Sequence, residues 1–340
     1  MMALLEVSNL QVRYSTKQGP LHAVDGVSLR VEEGQNVGLI GESGCGKSTV
    51  VKGILRLLPH TAETEGAVSF QGRDLLTLGR EELDKIRWTE IALVPQSAMN
   101  ALNPVIRIGD QIAEAIQAHE PTTRMTSRDR VAEVFELVGL DRKRLNQYPH
   151  QFSGGMKQRA VIAMALALNP RLIIADEPTT GLDVLVQDQI LNEIEEIHRR
   201  LNVSVLFVTH DIGIVAESCQ RIAVMYAGKI AEYADAGPLF QRPYHPYTLG
   251  LMKAYPSVRG SRRELVSIPG TPPDLVVRLS GCGFAPRCPF AREICHQEEP
   301  QLMETEPGNW AACHRVGDID HLRKEAGKAV TWTRMTANLL

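Results

Sequence analysis

The stretch that most constrains this chain is Gly41-Glu42-Ser43-Gly44-Cys45-Gly46-Lys47-Ser48-Thr49. It fits G-x-x-x-x-G-K-[ST], the phosphate-binding P-loop. Its surroundings are those such a loop needs. Residues 36–40 ahead of it read as a short buried strand, and residues 48–58 behind it read as a helix stopped by Pro59. Glycines let backbone wrap an anion without Cβ clashes, and the loop N–H groups and helix N-terminus then face phosphates. Lys47 adds a positive charge for β- and γ-phosphates, and the Ser48 hydroxyl can ligate Mg²⁺.

A chain of 340 residues accommodates one large domain or two smaller ones, and 44% hydrophobic residues support a real core. Charge is balanced, 37 basic against 40 acidic residues, with no long run of one sign, which gives no argument for nucleic acid or an anionic membrane as partner. The longest apolar candidate, Ala160 to Leu168, is cut off by Asn169-Pro170-Arg171, so no membrane span is expected. Without the charged-then-apolar pattern of a secretion signal at the start, the expected compartment is the cytoplasm. Six cysteines there argue for metal or free thiols rather than disulfides.

Along the chain, 4–7 and 27–31 alternate as strands, with Tyr14 between them. Tyr14 is equally readable as a stacking partner for a nucleotide base or as a half-buried strand residue. Residues 67–70 give another strand before a Gln71-Gly72 turn. Residues 91–96 read as a buried strand ending in the polar Gln96. About 97–165 reads as a mostly helical insertion, interrupted at 121–123. A helix is expected from Met156 to Leu168, directly after the Ser153-Gly154-Gly155 turn. Such an N-terminus suits an anion or an ordinary N-cap at Ser153 or Gly154. The apolar run 172–175 delivers Asp176 and Glu177 at its end, where carboxylates serve Mg-nucleotide chemistry: Asp176 to hold Mg²⁺, Glu177 to polarise the attacking water. Gly181-Leu182-Asp183 follows on a loop. The strand 204–209 ends at His210, placed for a γ-phosphate contact. Residues 221–230 read as a closing hairpin.

The order P-loop, Gln96, Phe152-Ser153-Gly154-Gly155-Met156, Asp176-Glu177, Gly181-Leu182-Asp183, His210 resembles an ABC ATPase over residues 4–235. These match, in turn, the family's Walker A, Q-loop, signature, Walker B, D-loop and switch histidine. The signature departs from the family's Leu-Ser-Gly-Gly-Gln at both ends, and Met156 removes a hydrogen-bonding side chain at the helix start; tuned activity is expected. The resemblance implies an α/β P-loop NTPase core with an antiparallel β subdomain and the helical insertion. It also implies an ATP site formed by Tyr14, residues 41–49, Gln96, Asp176, Glu177 and His210, with Mg²⁺ at Ser48, Gln96 and Asp176. A partner subunit would complete that site with Ser153, Gly154, Gly155, Met156 and Asp183. Glu177, His210 and Gln96 carry the catalytic roles in this reading.

Past about 235 prolines recur, at 238, 243, 246, 256, 269, 272 and 273, and mark a loop-rich extension over 236–320. Cys282, Cys288, Cys295 and Cys313, with five, six and seventeen residues between them, suggest a tetrathiolate site, and Zn²⁺ or an iron–sulfur cluster accepts four thiolates. The spacing is not the C-x₂-C knuckle of common zinc modules. Cys45 and Cys219 read as small core residues. Residues 242–248 (Arg-Pro-Tyr-His-Pro-Tyr-Thr), 268–273 (Ile-Pro-Gly-Thr-Pro-Pro) and the cysteine segment are similar to the oligopeptide/dipeptide/nickel importer ATPases. That resemblance extends to about 315, and 321–340 stay unassigned. It implies a [4Fe–4S] cluster ahead of zinc or free thiols. It further implies a peripheral subunit on the cytoplasmic face of the membrane, working with a second ATPase (a heterodimer, or a second copy), two permeases and an external binding protein. Di- or oligopeptides are the expected cargo, with nickel chelates or oligosaccharides as alternatives. A soluble ABC ATPase of DNA repair or translation is the competing class. It fits less well, because no sustained heptads and no second cassette are present.

Overall fold

The computed structural model describes residues 3–96, 101–121, 123–254, 267–276 and 280–332. In chain order the strands are β1 (Leu5–Thr16), β2 (Gly19–Val31), β3 (Asn36–Ile40), β4 (Ala62–Phe70), β5 (Arg73–Asp74), β6 (Ile91–Val94), β7 (Leu172–Asp176), β8 (Ser204–Thr209), β9 (Arg221–Tyr226), β10 (Lys229–Asp235), β11 (Met303–Glu306) and β12 (Asn309–Ala311). The helices are α1 (Lys47–Ile54), α2 (Arg80–Ile86), α3 (Ile108–His119), α4 (Arg124–Leu137), α5 (Gly154–Leu166), α6 (Val184–Leu201), α7 (Ile212–Ser218), α8 (Ala236–Gln241), α9 (Pro246–Ala254), α10 (Glu293–Gln297) and α11 (Ile319–Ala326). These elements gather into two compact units.

One unit holds Val31–Asn36 and Phe70–Val208 with the first residues of the chain. Its centre is the parallel set β6–β7–β8, paired Val94 to Ala175 and Asp176 to Val208. Every residue of β7 and β8 is buried, as expected for parallel strands covered on both faces. Helices α3 and α4 fill the expected insertion and pack on α5. The sequence expectation placed Ser153-Gly154-Gly155 as a turn before the helix. Ser153 is the N-cap, as one of the two sequence readings had it, its hydroxyl accepting from Met156 N–H at 3.3 Å, and the helix starts at Gly154 rather than Met156, so both glycines lie in its first turn. Helix α6 is capped by Asp183, buries Ile190, Ile194 and Ile197 on one stripe, and ends at Asn202 in the left-handed region.

The other unit holds Leu5–Arg30, Val37–Ser69 and the chain from Thr209 onward. Strand β1 lies between β2 and β4. Tyr14, expected between two strands, sits on β1 itself and is half-buried, because β1 runs on to Thr16. Strand β9 pairs parallel with β3 and antiparallel with β10, through the expected hairpin, whose turn residues Ala227 and Gly228 both have positive φ. Helix α1 stops four residues before the expected end: Arg56 turns left-handed at φ 51° and Leu57 N–H closes on Lys52 C=O at 2.8 Å.

The described residues after 235 are built into this unit. Strand β12 pairs antiparallel with β10, matching Glu232 to Ala311 and Tyr233 to Trp310. The Arg221 guanidinium lies over both the Tyr233 and Trp310 rings. Trp332, in the stretch left unassigned from sequence, is 1% exposed, its ring edge-on to Phe290 and its indole N–H donating to Ala326 C=O at 3.1 Å.

Candidate functional site

The P-loop joins β3 to α1. Gly46 serves as N-cap of α1 with φ 109°, and a Cβ there would lie 2.2 Å from the Ala23 carbonyl oxygen, so only glycine fits. Lys47 is buried to 5% exposure, and its Nζ donates to the carbonyls of Gly41 at 2.8 Å and Glu42 at 3.1 Å. The loop thus folds around its own cation at a helix N-terminus, an arrangement suited to a polyphosphate. Burial pushes the Cys45 thiol up, opposed by Lys47. Ser48 and Thr49 open the helix behind it. In the same unit His210 is exposed directly after Thr209, and Asp211 behind it caps α7 by accepting from Gly213 N–H at 2.8 Å.

In the other unit the sheet register does the positioning. Val94 pairs with Ala175, so Gln96 and Glu177, two residues further along each chain, leave neighbouring strands side by side. The Gln96 amide donates to Glu177 Oε2 at 2.8 Å. Asp176 is buried at the end of β7. Glu177 has φ 48°, a left-handed conformation uncommon outside glycine, and its N–H donates to Val208 C=O at 2.7 Å. The Thr180 hydroxyl donates to the same Oε2 at 2.8 Å, so the carboxylate is held from both sides of the turn.

The signature residues and the loop ahead of α6 form a second cluster. A Cβ on Gly155 would lie 2.5 Å from Val186 Cγ1, so the first turn of α5 and the first turn of α6 touch backbone to side chain. Asp183 accepts from Val186 N–H at 3.0 Å, and Gln187 Nε2 donates to the carbonyls of Thr179 and Leu182. Gly154, Met156 and Asp183 are thereby fixed relative to one another.

The four cysteines of the extension line one pocket, together with His245, His314 and Arg315. Backbone N–H groups of Arg292 and Arg315 point at the sulfurs of Cys295 and Cys313, at 3.5 and 3.3 Å. Burial pushes the Cys282 and Cys288 thiols up and that of Cys313 to about 12, with the neighbouring cysteines adding to the rise. Among the described residues no three His, Cys, Asp or Glu side chains converge closely enough to hold a single ion. Cys219 is a buried core residue, as expected.

Sequence reasoning missed the groups that surround the P-loop from the extension. Arg287 makes two ion-pair contacts with Glu42, and Tyr247 accepts a hydrogen bond from Glu42 N–H. The 242–248 motif was visible in the sequence, but nothing local in it announces a partner two hundred residues away.

Among the described residues no helix is long and apolar enough to cross a membrane. Residues 24–180 match the family model "ABC transporter", and residues 231–295 match "Oligopeptide/dipeptide transporter, C-terminal region". The chain is 47% identical, over 94% of its length and 97% of the relative's, to "Probable peptide ABC transporter ATP-binding protein y4tR" of Sinorhizobium fredii. It is 46% identical to "Dipeptide transport ATP-binding protein DppD" of Lactococcus lactis, over 91% of this chain and 89% of that one. It is 41% identical to "Oligopeptide transport ATP-binding protein OppD" of Escherichia coli, over 92% and 93% respectively. Among solved structures, a dimeric post-hydrolysis state of the ATP-binding cassette MJ0796 bound to ADP and Pi aligns with TM-score 0.62 and 29% identity, covering 68% of this chain and 98% of that one.

Proposed function

This chain belongs to the ATP-binding subunits of ABC transporters of the oligopeptide/dipeptide type, and from that premise we propose that it binds and hydrolyses ATP to energise uptake of di- or oligopeptides. The observation that carries the reading is that likeness runs across both the cassette and the C-terminal region, so the chain matches transport ATPases as a whole. Nickel chelates and oligosaccharides are the alternative cargoes within the same architecture.

In the proposed mechanism two ATPase subunits enclose two ATP molecules. Residues 41–49 of one subunit hold the phosphates, and Ser153, Gly154, Gly155, Met156 and Asp183 of the other close the site. Lys47 neutralises β- and γ-phosphate charge. Tyr14 stacks on the base. Glu177 orients the attacking water and accepts its proton, and His210 contacts the γ-phosphate. Mg²⁺ held by Ser48, Gln96 and Asp176 would supply charge stabilisation to the phosphates. Gln96 already contacts Glu177, so a change at the phosphates reaches the insertion that follows Gln96 in the chain. ATP binding closes the pair and hydrolysis reopens it, a ligand-driven population shift. A heterodimer with a related ATPase, on the cytoplasmic face of the membrane, with two permeases and a binding protein, is the proposed assembly.

We propose that the four-cysteine pocket takes a [4Fe–4S] cluster, with zinc as the alternative. Cys282, Cys288, Cys295 and Cys313 would hold it, and the backbone N–H groups facing the sulfurs suit thiolate ligands.

The deciding experiment is a gentle anaerobic pull-down from native membranes with mass spectrometry of what accompanies the chain. Two polytopic permeases, a second ATPase and a solute-binding protein are expected, and the ligand of that binding protein names the cargo. Recovery with ribosomes or nucleic acid and no permease would overturn the importer reading.

A further inference from the structure

Glu42 is the second residue of the P-loop, and the structure holds all three of its polar groups. Its N–H donates to the Tyr247 hydroxyl at 2.9 Å. Its carbonyl accepts from Lys47 Nζ at 3.1 Å. Its carboxylate meets both terminal nitrogens of Arg287, at 2.6 and 3.0 Å. Tyr247 is fully buried and Arg287 is 4% exposed. Arg287 is itself locked: its Nε donates to Pro269 C=O at 2.8 Å and Nη1 to the Tyr226 hydroxyl at 3.2 Å. The rings of Tyr226, Tyr247 and Phe284 pack against one another behind it.

We propose that Arg287 is a positioning residue of the nucleotide site, setting the conformation of the P-loop through Glu42. The argument rests on geometry and on the reading of residues 41–49 as the ATP site. A two-pronged guanidinium–carboxylate pair fixes orientation as well as distance, which a single contact does not. The residue it fixes is bonded through its own carbonyl to Lys47, the cation that meets phosphate. Displacing the Glu42 carboxylate therefore turns the peptide that seats Lys47. Arg287 stands in the turn between Cys282 and Cys288, so the cysteine segment and the P-loop are connected through one side chain.

A different anchor of the extension separates positioning from general stapling. Arg323 donates to the carbonyls of Pro243 and Arg242, at 3.1 and 2.8 Å, and touches nothing in the P-loop. Arg287 and Arg323 both tie down the extension; only Arg287 reaches the P-loop.

The test measures the affinity of the full chain for a fluorescent ATP analogue, its kcat, and its melting temperature, for wild type, Arg287→Met, Arg287→Lys, Glu42→Gln, the double variant Arg287→Met with Glu42→Gln, and Arg323→Met. Arg287→Met and Glu42→Gln are each expected to weaken nucleotide binding about tenfold, with a smaller change in kcat at saturating ATP. Arg287→Lys is expected to recover part of the loss, and the double variant to lose less than the product of the two single losses. Arg323→Met is expected to melt earlier at wild-type affinity. Glu42→Gln removes no buried volume, so it keeps the test decisive if Arg287→Met does not fold. Wild-type affinity in folded Glu42→Gln, or an equal loss in Arg323→Met, would overturn the proposal and leave the ATPase reading intact. Failure of the wild-type chain to bind the analogue would remove that reading, and the proposal with it.

Discussion

The Gln96 amide and the Thr180 hydroxyl both donate to Oε2 of Glu177, each at 2.8 Å. Two donors on one carboxylate oxygen hold the side chain in place, as the proposed general base requires. Glu177→Gln is therefore expected to keep ATP affinity within a few-fold of wild type and to lower turnover at least 100-fold, the range for loss of a general base. Phosphate release by the full chain, alongside nucleotide binding, is the measurement. Near-normal turnover would remove Glu177 from that role.

Gly155 sets a second prediction. A methyl group there meets Val186 Cγ1 at 2.5 Å, so Gly155→Ala pushes α5 off α6 at a cost of about 1–3 kcal/mol. Its thermal midpoint should fall and its ATPase rate should drop, because the proposed trans-acting Ser153 and Asp183 sit on those same two helix starts. Adding Val186→Ala should restore much of both. If the double variant is no better than Gly155→Ala alone, the contact is not what fixes the signature residues.

Much of this was legible in the sequence because the chemistry lies at strand ends and helix starts. The apolar run 172–175 announces β7, and its terminal acids lie where parallel strands present ligands. The glycines of the P-loop and the serine ahead of α5 are local signals, read within a few residues. What sequence did not disclose is non-local. Arg287 and Glu42 are 245 residues apart, and no period or cap links them. Glu177 carries positive φ without being glycine, which no residue preference would have suggested. Trp332 lies in a stretch with no motif, yet it is among the most deeply buried side chains.

Glu232 supplies a prediction about acidity. It is 1% exposed, and burial pushes its carboxyl from 4.5 up to about 7, although it accepts from the N–H groups of Tyr244 and His245. Between pH 4.5 and 7 the unfolded chain has released that proton while the folded chain retains it. Stability from this group therefore falls as pH rises through the window and levels off above pH 7, by about 3 kcal/mol in total. His245 opposes it: burial lowers its imidazole to about 4, so stability falls as pH drops from 6.5 towards 4. The wild-type profile is thus flattened, and the informative quantity is a difference. Chemical denaturation of wild type and Glu232→Gln from pH 5 to 8 should show the variant gaining on wild type as pH rises. A constant difference would mean that Glu232 does not titrate in the folded chain.

The cysteine pocket gives the last prediction. Four sulfurs lining one pocket, two of them accepting backbone hydrogen bonds, should retain iron and inorganic sulfide when the chain is purified without oxygen. About four irons per chain are expected, with broad visible absorbance. Cys288→Ser, at a buried member of the set that follows the 285–287 turn, should abolish both. One zinc and no iron would select the mononuclear alternative. Neither metal in anaerobic wild-type protein would end the metal-site reading. The pocket would then be four thiols, Cys288 and Cys295 buried and Cys282 and Cys313 half-buried, with a packing role alone.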